Sequence, residues 1–440
     1  MATIDRVVVA RTSSLQDLRR SPYLIACAAL ALRLAVLFVT WHGATPDQLS
    51  GSYGYEAGAV AKSIASGHGF SSPLPGIDTG PTAWFPPAYP FFLAGIFRLC
   101  GIYSVKSHII SQAANCLFVS LAIFAIHGTA RRSFGIRVAT IASWTWAFLP
   151  SAVHIPIAYV WDTALTAAWL MLMLWATLVL KESRRSIAWA AYGGAWAMAA
   201  MINPSLLMVL PGFLGWLAWE GRQRLESSLR NVAIALIVLL AGMAPWTVRN
   251  YHVFGKFVPV RSVFGITLWE GNNPVAVGVD SFRMLPVDNA QEAKEYQRVG
   301  EIEYAKTKQK EALVFMRSHP GTTMHLVLGR IATFWLEASD RANNVWSRDP
   351  FYVKGLLALN ALMTLFCLFG VITALSSPHS GLGIPYAVVL LCFPLLYYVA
   401  YASARFRFPM EPVEVILAVY GVARILGWAQ ERQIFALPGR

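Results

Sequence analysis

Residues 22–41 read PYLIACAALALRLAVLFVTW, an apolar run interrupted by one charge, Arg33. A helix rises about 1.5 Å per residue, so about 20 such residues cross the hydrocarbon core of a bilayer. The run is too long for the core of a signal peptide, and no A-x-A cleavage site follows it. Arg6, Arg11, Arg19 and Arg20 precede it. Basic residues mark the cytoplasmic side of a span. The stretch is therefore predicted to be an uncleaved first span, with the N-terminus in the cytoplasm.

Similar runs recur at about 108–130, 138–153, 159–180, 187–202, 206–219, 232–248, 351–375, 384–402 and 412–428. This pattern predicts about ten crossings with both ends inside. The charges follow it. Arg131, Arg132 and Arg137 fall in one inner loop, Lys181, Arg184 and Arg185 in the next, and Arg222, Arg224 and Arg230 in a third. The turns near His154 and Asn203 carry no Lys or Arg. The apolar stretch 323–338 is interrupted by Arg330 and is left outside the count.

Composition agrees. Of 440 residues, 56% are hydrophobic and 13% charged, where a soluble domain has about 25% charged residues. The net charge of +13 is topological and lies on no soluble basic module, which argues against nucleic acid as a partner. The five cysteines are scattered, mostly within apolar runs, and form no CxxC pair. The nine histidines show no metal spacing, so no metal site can be argued and any divalent-metal requirement stays open. No HExxH, Walker, GxSxG or GxGxxG motif is present.

The expected fold is thus an all-α polytopic membrane protein, divided into four parts. Residues 1–21 form a cytoplasmic tail. Residues 22–248 form an N-terminal transmembrane module with a long first outer loop, 42–105. Residues 249–350 form an outer segment with a helical stretch from 289 to 318. Residues 351–440 form a C-terminal transmembrane module and tail. Within the first outer loop, Glu56 to Ser66 reads as a helix. The apolar piece from Ala88 to Leu99 is short for a span and fits an interfacial or re-entrant helix.

Charged groups at the outer surface run against the positive-inside bias and ask for a reason. Glu56, in GSYGYEAGAVAKSIASGHGF (51–70), could deprotonate an acceptor hydroxyl. An acid there is also favoured by the helix dipole. Asp47 and Asp78 flank it as loop acids of the kind usually just solvated, and Lys62 and His68 could touch a phosphate, or the lysine could snorkel at the interface. Asp162, after Trp161, could be a second acid or a helix cap. Arg249, Asn250, Lys256 and Arg261 follow the seventh span, where guanidinium groups could grip a phosphate bidentately or anchor the interface. Arg405 and Arg407 occupy a tight outer turn. They could bind an anion or be neutralised by Glu411 or Glu414.

Three segments in order carry a family likeness: YEAGAVAKSIASGHGF with GPTAWFPPAYPFFLAGIFRLCG, then PWTVRNYHVFGKFVPVRSVFGITLWEGNN, then ARFRFPMEP. The chain resembles the GT-C superfamily of membrane glycosyltransferases. Within it, the chain is most similar to glycosyltransferase family 39-like proteins, the group of dolichyl-phosphate-mannose protein mannosyltransferases and the lipid A aminoarabinose transferase. The resemblance implies a GT-C-like bundle and an inverting transfer from a polyprenyl-phosphate-linked sugar to a lipid, glycan or protein acceptor. It implies a site on the periplasmic face of a bacterial inner membrane, serving the cell envelope. Carried over, it makes Glu56 and Asp162 the catalytic acids. It makes Asp47, Lys62, Arg249, Arg261, Arg405 and Arg407 substrate contacts. Many relatives carry an aspartate just before the first-loop helix, where this chain reads Ser52-Tyr53-Gly54, so Glu56 substitutes or Asp47 folds back. The alternative readings are a non-enzymatic polyprenyl-lipid transporter or flippase, or an accessory subunit of envelope glycan assembly.

Overall fold

The computed structural model describes residues 20–41, 53, 55–276, 285–336, 350–377 and 380–428. Asp47 lies outside them. The described residues form an all-helical bundle. Five helices are long and apolar enough to cross a membrane, or six if one bent pair is a single span. They are α1 (Pro22–Thr40), α4 (Val105–Phe134), α7 (Thr163–Leu180), α10 (Leu225–Phe254) and α15 (Pro350–Ser376). The remaining runs of the expected ten fall on shorter apolar helices. These are α8 (Ser186–Ile202), α9 (Leu210–Glu220), the pair α16 (Ile384–Cys392) and α17 (Leu395–Val399), and α18 (Glu411–Ile425).

The run at 138–153 is not one straight helix. It splits into α5 (Ile136–Phe148) and α6 (Pro150–Ala158), bent by 44°. Pro150 lacks the N–H that would bond the Trp146 carbonyl four residues earlier, and Pro156 does the same to Ala152. Arg33 of α1, fully buried, supplies both missing donors. Its Nη2 donates to Trp146 O at 3.2 Å and its Nε to Ala152 O at 2.8 Å. The one charge in the opening run is thus a plug for two orphaned carbonyls, which would otherwise cost about 1–3 kcal/mol each.

Arg330 acts similarly. It lies in α14 (Pro320–Leu336), which covers most of the stretch left out of the count. Its guanidinium is fully buried and donates to the carbonyls of Tyr398 (3.2 Å), Val399 (2.9 Å) and Gly271. The first two end α17, and Gly271 ends α11 (Phe264–Gly271). A cation at helix C-termini meets unpaired carbonyls and the negative end of the helix dipole.

The first outer loop holds α2 (Tyr55–Ala65) and α3 (Ala88–Cys100), close to the ranges expected. They share a small core of Tyr53, Val60, Tyr89 and Phe97. The charged stretch of the second outer segment is two helices, α12 (Ala290–Val299) and α13 (Glu301–Ser318), divided at Gly300. Gly300 has φ +81°, a conformation only glycine adopts readily. A third core joins the two outer segments through Trp84, Val263, Ile266, Tyr296 and Tyr304. In the membrane bundle, α15 and α18 cross so closely at Gly370 that a Cβ there would strike the Leu417 carbonyl. Small residues permit such approaches in apolar surroundings.

Candidate functional site

The connections at one end of the bundle enclose a cavity of about 1660 Å³. Its walls come from the first outer loop, the turn between α6 and α7, the turn after α8, the segment after α10, and the connection between α17 and α18. Charged and polar side chains gather at these walls, including Glu56, Lys62, Asp162, Arg261 and Arg405. Apolar side chains continue the lining into the bundle, among them Met243 of α10, Leu207, Leu356 of α15 and Leu396 of α17.

Glu56 stands in the first turn of α2, and its Oε1 accepts a 2.7 Å bond from the indole Nε1 of Trp84. Trp84 is buried. The apolar core between the two outer segments therefore aims this carboxylate. Lys62 lies one and a half turns along the same helix and is exposed to the cavity. Asp78 and His68 line the same rim. Asp78 accepts from Ser72 Oγ at 2.7 Å and from Gly80 N at 3.1 Å, and these bonds hold its carboxyl below the usual range.

Asp162 occupies the position before α7 but makes no side-chain capping bond. It turns instead to Asn203, whose Nδ2 donates to Oδ2 at 3.0 Å. Asn203 Oδ1 in turn accepts from Ser205 Oγ at 2.8 Å, and Tyr397 donates to Ser205 Oγ at 2.9 Å. The chain of bonds ties the turn before α7, the turn after α8 and α17 together. Burial pushes the Asp162 carboxyl up to about 6, against the pull of Arg405, Arg261 and the Asn203 amide, and Glu56 adds to the rise. Arg405, Arg261 and Glu56 thus all act on Asp162 across the cavity.

The Arg405 guanidinium lies 4.1 Å over the Trp161 ring, and Trp161 is itself stacked on Tyr159 with ring centres 4.3 Å apart. A planar guanidinium on an aromatic shelf is held in a fixed orientation. Arg261 is delivered by a different device. Trp246 Nε1 and Asn250 Nδ2 donate to Val260 O (3.0 and 3.3 Å), and Thr247 Oγ1 donates to Pro259 O at 2.9 Å. These bonds strap residues 258–260 to the end of α10 and bring Arg261 to the cavity wall.

Two arginines expected as phosphate contacts go elsewhere. Arg249 donates to Thr82 O at 2.6 Å and to Phe70 O at 3.0 Å, and its guanidinium lies 4.9 Å over Trp246. It staples the first outer loop to α10 and does not line the cavity. Arg407 is fully buried and paired with Glu414 at 2.5 Å. It also donates to Trp335 O at 2.6 Å, at the end of α14. Arg405 and Arg407 are neighbours in sequence, yet one faces the cavity and the other the helix packing behind it.

The sequence reading missed Trp84, Asn203, Tyr397 and Glu270, all of which line the cavity. Asn203 carried a signal in the Asn-Pro turn, whereas Trp84 and Tyr397 are indistinguishable in sequence from interfacial aromatics. Among the described residues, no three His, Cys, Asp or Glu side chains are grouped as a metal site requires.

Residues 85–248, less than half of the chain, match the profile of a family described as dolichyl-phosphate-mannose-protein mannosyltransferase. No curated protein sequence matches the chain significantly. Among solved structures, one similar fold is the Archaeoglobus fulgidus oligosaccharyltransferase AglB in complex with an inhibitory peptide and a dolichol-phosphate. It has a TM-score of 0.56 and 12% identity, covering 92% of this chain and 50% of that one. The apo form from the same organism has a TM-score of 0.53 and 11% identity, with the same two coverages. The chain spans about half the length of these structures, and at this identity the likeness is one of fold. The apolar bundle, its enclosed end and these matches make the chain an integral membrane protein with the GT-C fold, whose residues 85–248 match the dolichyl-phosphate-mannose-protein mannosyltransferase family.

Proposed function

We propose that the protein is a membrane glycosyltransferase that moves a sugar from a polyprenyl-phosphate-linked donor to an acceptor on the non-cytoplasmic face. The observation that carries this reading is the meeting of Glu56, Asp162, Arg261 and Arg405 in one cavity whose other walls are apolar and reach into the bundle. Such a cavity suits a ligand with a charged phosphate, a polar sugar and a long hydrocarbon tail. The dolichol-phosphate bound in the AglB structure supports a lipid of this class.

In this reading Glu56 takes the proton of an acceptor hydroxyl. The oxygen attacks the anomeric carbon from the face opposite the phosphate, and the bond from that carbon to the phosphate oxygen breaks. Configuration inverts, and the lipid phosphate leaves with the electron pair. Arg261 and Arg405 meet the charge that grows on it, a placement worth most where water is excluded. Asp162, called a second catalytic acid by the resemblance, serves here as a counter-charge that attracts both arginines and offsets their mutual repulsion before the donor arrives. Lys62, at the rim, completes the cationic wall. Asp47 belongs to the same outer loop and is proposed to act on the acceptor side.

The basic loops support a reading in which the cavity faces the periplasm across a bacterial inner membrane, with both termini in the cytoplasm. The test is direct. Purified protein in bilayers is supplied with a panel of polyprenyl-phosphate sugars and acceptors, and release of the lipid phosphate is followed. Turnover of one donor supports a transferase. Movement of intact donor between leaflets without sugar transfer supports a flippase instead.

A further inference from the structure

Glu301 opens α13 directly after the Gly300 break and is almost fully buried. It does not line the cavity. Its carboxylate nevertheless gathers four donors from three separate stretches. Thr82 Oγ1 donates to Oε2 at 2.5 Å and Ala83 N to Oε1 at 2.8 Å. Ser262 Oγ donates to Oε1 at 2.5 Å, and Tyr296 OH to Oε2 at 2.9 Å. Thr82 Oγ1 then accepts from Trp84 N at 2.9 Å, and Ser262 N donates to Ala83 O at 2.9 Å.

The consequence lies two residues on. Trp84 is locked by this knot at its backbone and by the core of Tyr296 and Ile266 at its ring. Its indole holds Glu56. Ser262, tied to the other oxygen, is the immediate neighbour of Arg261. One buried carboxylate thereby fixes the segment that orients the proposed base and the residue beside a proposed phosphate contact. A solvated loop junction would need no buried charge, because hydrophobic contact alone would close it more cheaply.

We infer that Glu301 is a positioning residue for the transfer reaction, acting on Glu56 through Thr82, Ala83 and Trp84. The inference rests on the transferase reading above. It predicts a loss in turnover, typically about 10- to 100-fold for supporting residues, with little change in donor binding, because Trp246, Thr247 and Asn250 still hold the backbone before Arg261.

The experiment uses the full-length protein in bilayers, with a polyprenyl-phosphate hexose that the wild type turns over. Glu301→Gln keeps an acceptor oxygen but removes the charge, and Trp84→Phe keeps the ring but removes the indole donor. Each is expected to lower kcat about tenfold with donor KM unchanged. The double variant should fall no further than the worse single one, because both cut the same connection. Multiplying losses, or a Glu301→Gln enzyme with wild-type kcat, would overturn the inference. Backbone hydrogen exchange gives a second reading that needs no turnover. Glu301→Gln should speed exchange at Ala83 and Trp84 while α10 stays protected, and unchanged exchange there also overturns it. Absence of turnover in the wild type would count against the transferase reading alone, leaving exchange to decide on Glu301.

Discussion

The indole of Trp84 and the carboxylate of Glu56 share a 2.7 Å hydrogen bond across 28 residues of the first outer loop. Among the described residues, the second oxygen of Glu56 has no hydrogen-bond partner. One oxygen is fixed by the indole, and the side chain lines the cavity. Glu56→Gln keeps an oxygen to accept the indole bond but cannot take a proton. Transfer is expected to fall by about 10²–10⁴, with membrane insertion and thermal midpoint unchanged. Wild-type rates in this variant would remove Glu56 from the chemistry.

The arginines divide into two groups with opposite signatures. Arg261→Ala and Arg405→Ala should each weaken binding of a polyprenyl phosphodiester, since a bond to a charged group is worth about 1.5–3 kcal/mol, or about ten- to a hundredfold in Kd. Arg405→Lys should recover little of this, because an ammonium cannot lie flat on Trp161. Arg249→Ala should leave Kd near the wild-type value and lower the unfolding midpoint. Titration of each variant with lipid in nanodiscs separates the groups, and a large Kd change in Arg249→Ala would contradict the assignment.

Asp162 predicts a pH effect with a definite sign. Its carboxyl, in the turn ahead of α7, titrates at about 6 because burial outweighs Arg405, Arg261 and Asn203. An ordinary aspartate titrates at about 4, so between those values the native protein holds a proton that the unfolded chain has released. The stability from this group is complete below about pH 4 and is lost as pH rises through about 6. The unfolding midpoint of wild type relative to Asp162→Asn should therefore fall across that window. A difference independent of pH would show that the carboxyl titrates normally.

Arg407 and Glu414 form a pair with no exposure to water. Arg407→Met strands a buried carboxylate and should cost about 3–5 kcal/mol. Adding Glu414→Leu should return much of that loss, though not all, because Trp335 O loses the shorter of its two donors and keeps only Thr364 Oγ1 at 3.3 Å. Thermal unfolding in detergent reads both steps. If the second change deepens the loss, the carboxylate has another buried cation.

How much of this was legible in the sequence follows from geometry. Membrane-length helices are a one-dimensional signal, and α1, α4, α7, α10 and α15 lie where the apolar runs predicted them. Glu56 and Asp162 were legible as acids at helix starts. The fates of Arg405 and Arg407 were not, because a tight turn, Ala404–Phe406, sends side chains two residues apart to different surroundings. The break at Leu149 was readable in Pro150 and Pro156, yet hydropathy alone averaged over it. Contacts such as Thr82 to Glu301, 219 residues apart, have no local trace at all.

Arg33 carries a consequence for how this chain can change. Its guanidinium stands in for two amide hydrogens that Pro150 and Pro156 cannot provide. Restoring both amides with alanine would let the helix complete its own ladder and leave the arginine a cation without a task in hydrocarbon. The three positions form a lock with one key: the prolines are tolerable while the arginine is there, and the arginine is tolerable while the prolines are. A lineage that straightened this helix would have to surrender all three together, and with them the bend that turns Ser151 and His154 toward the cavity.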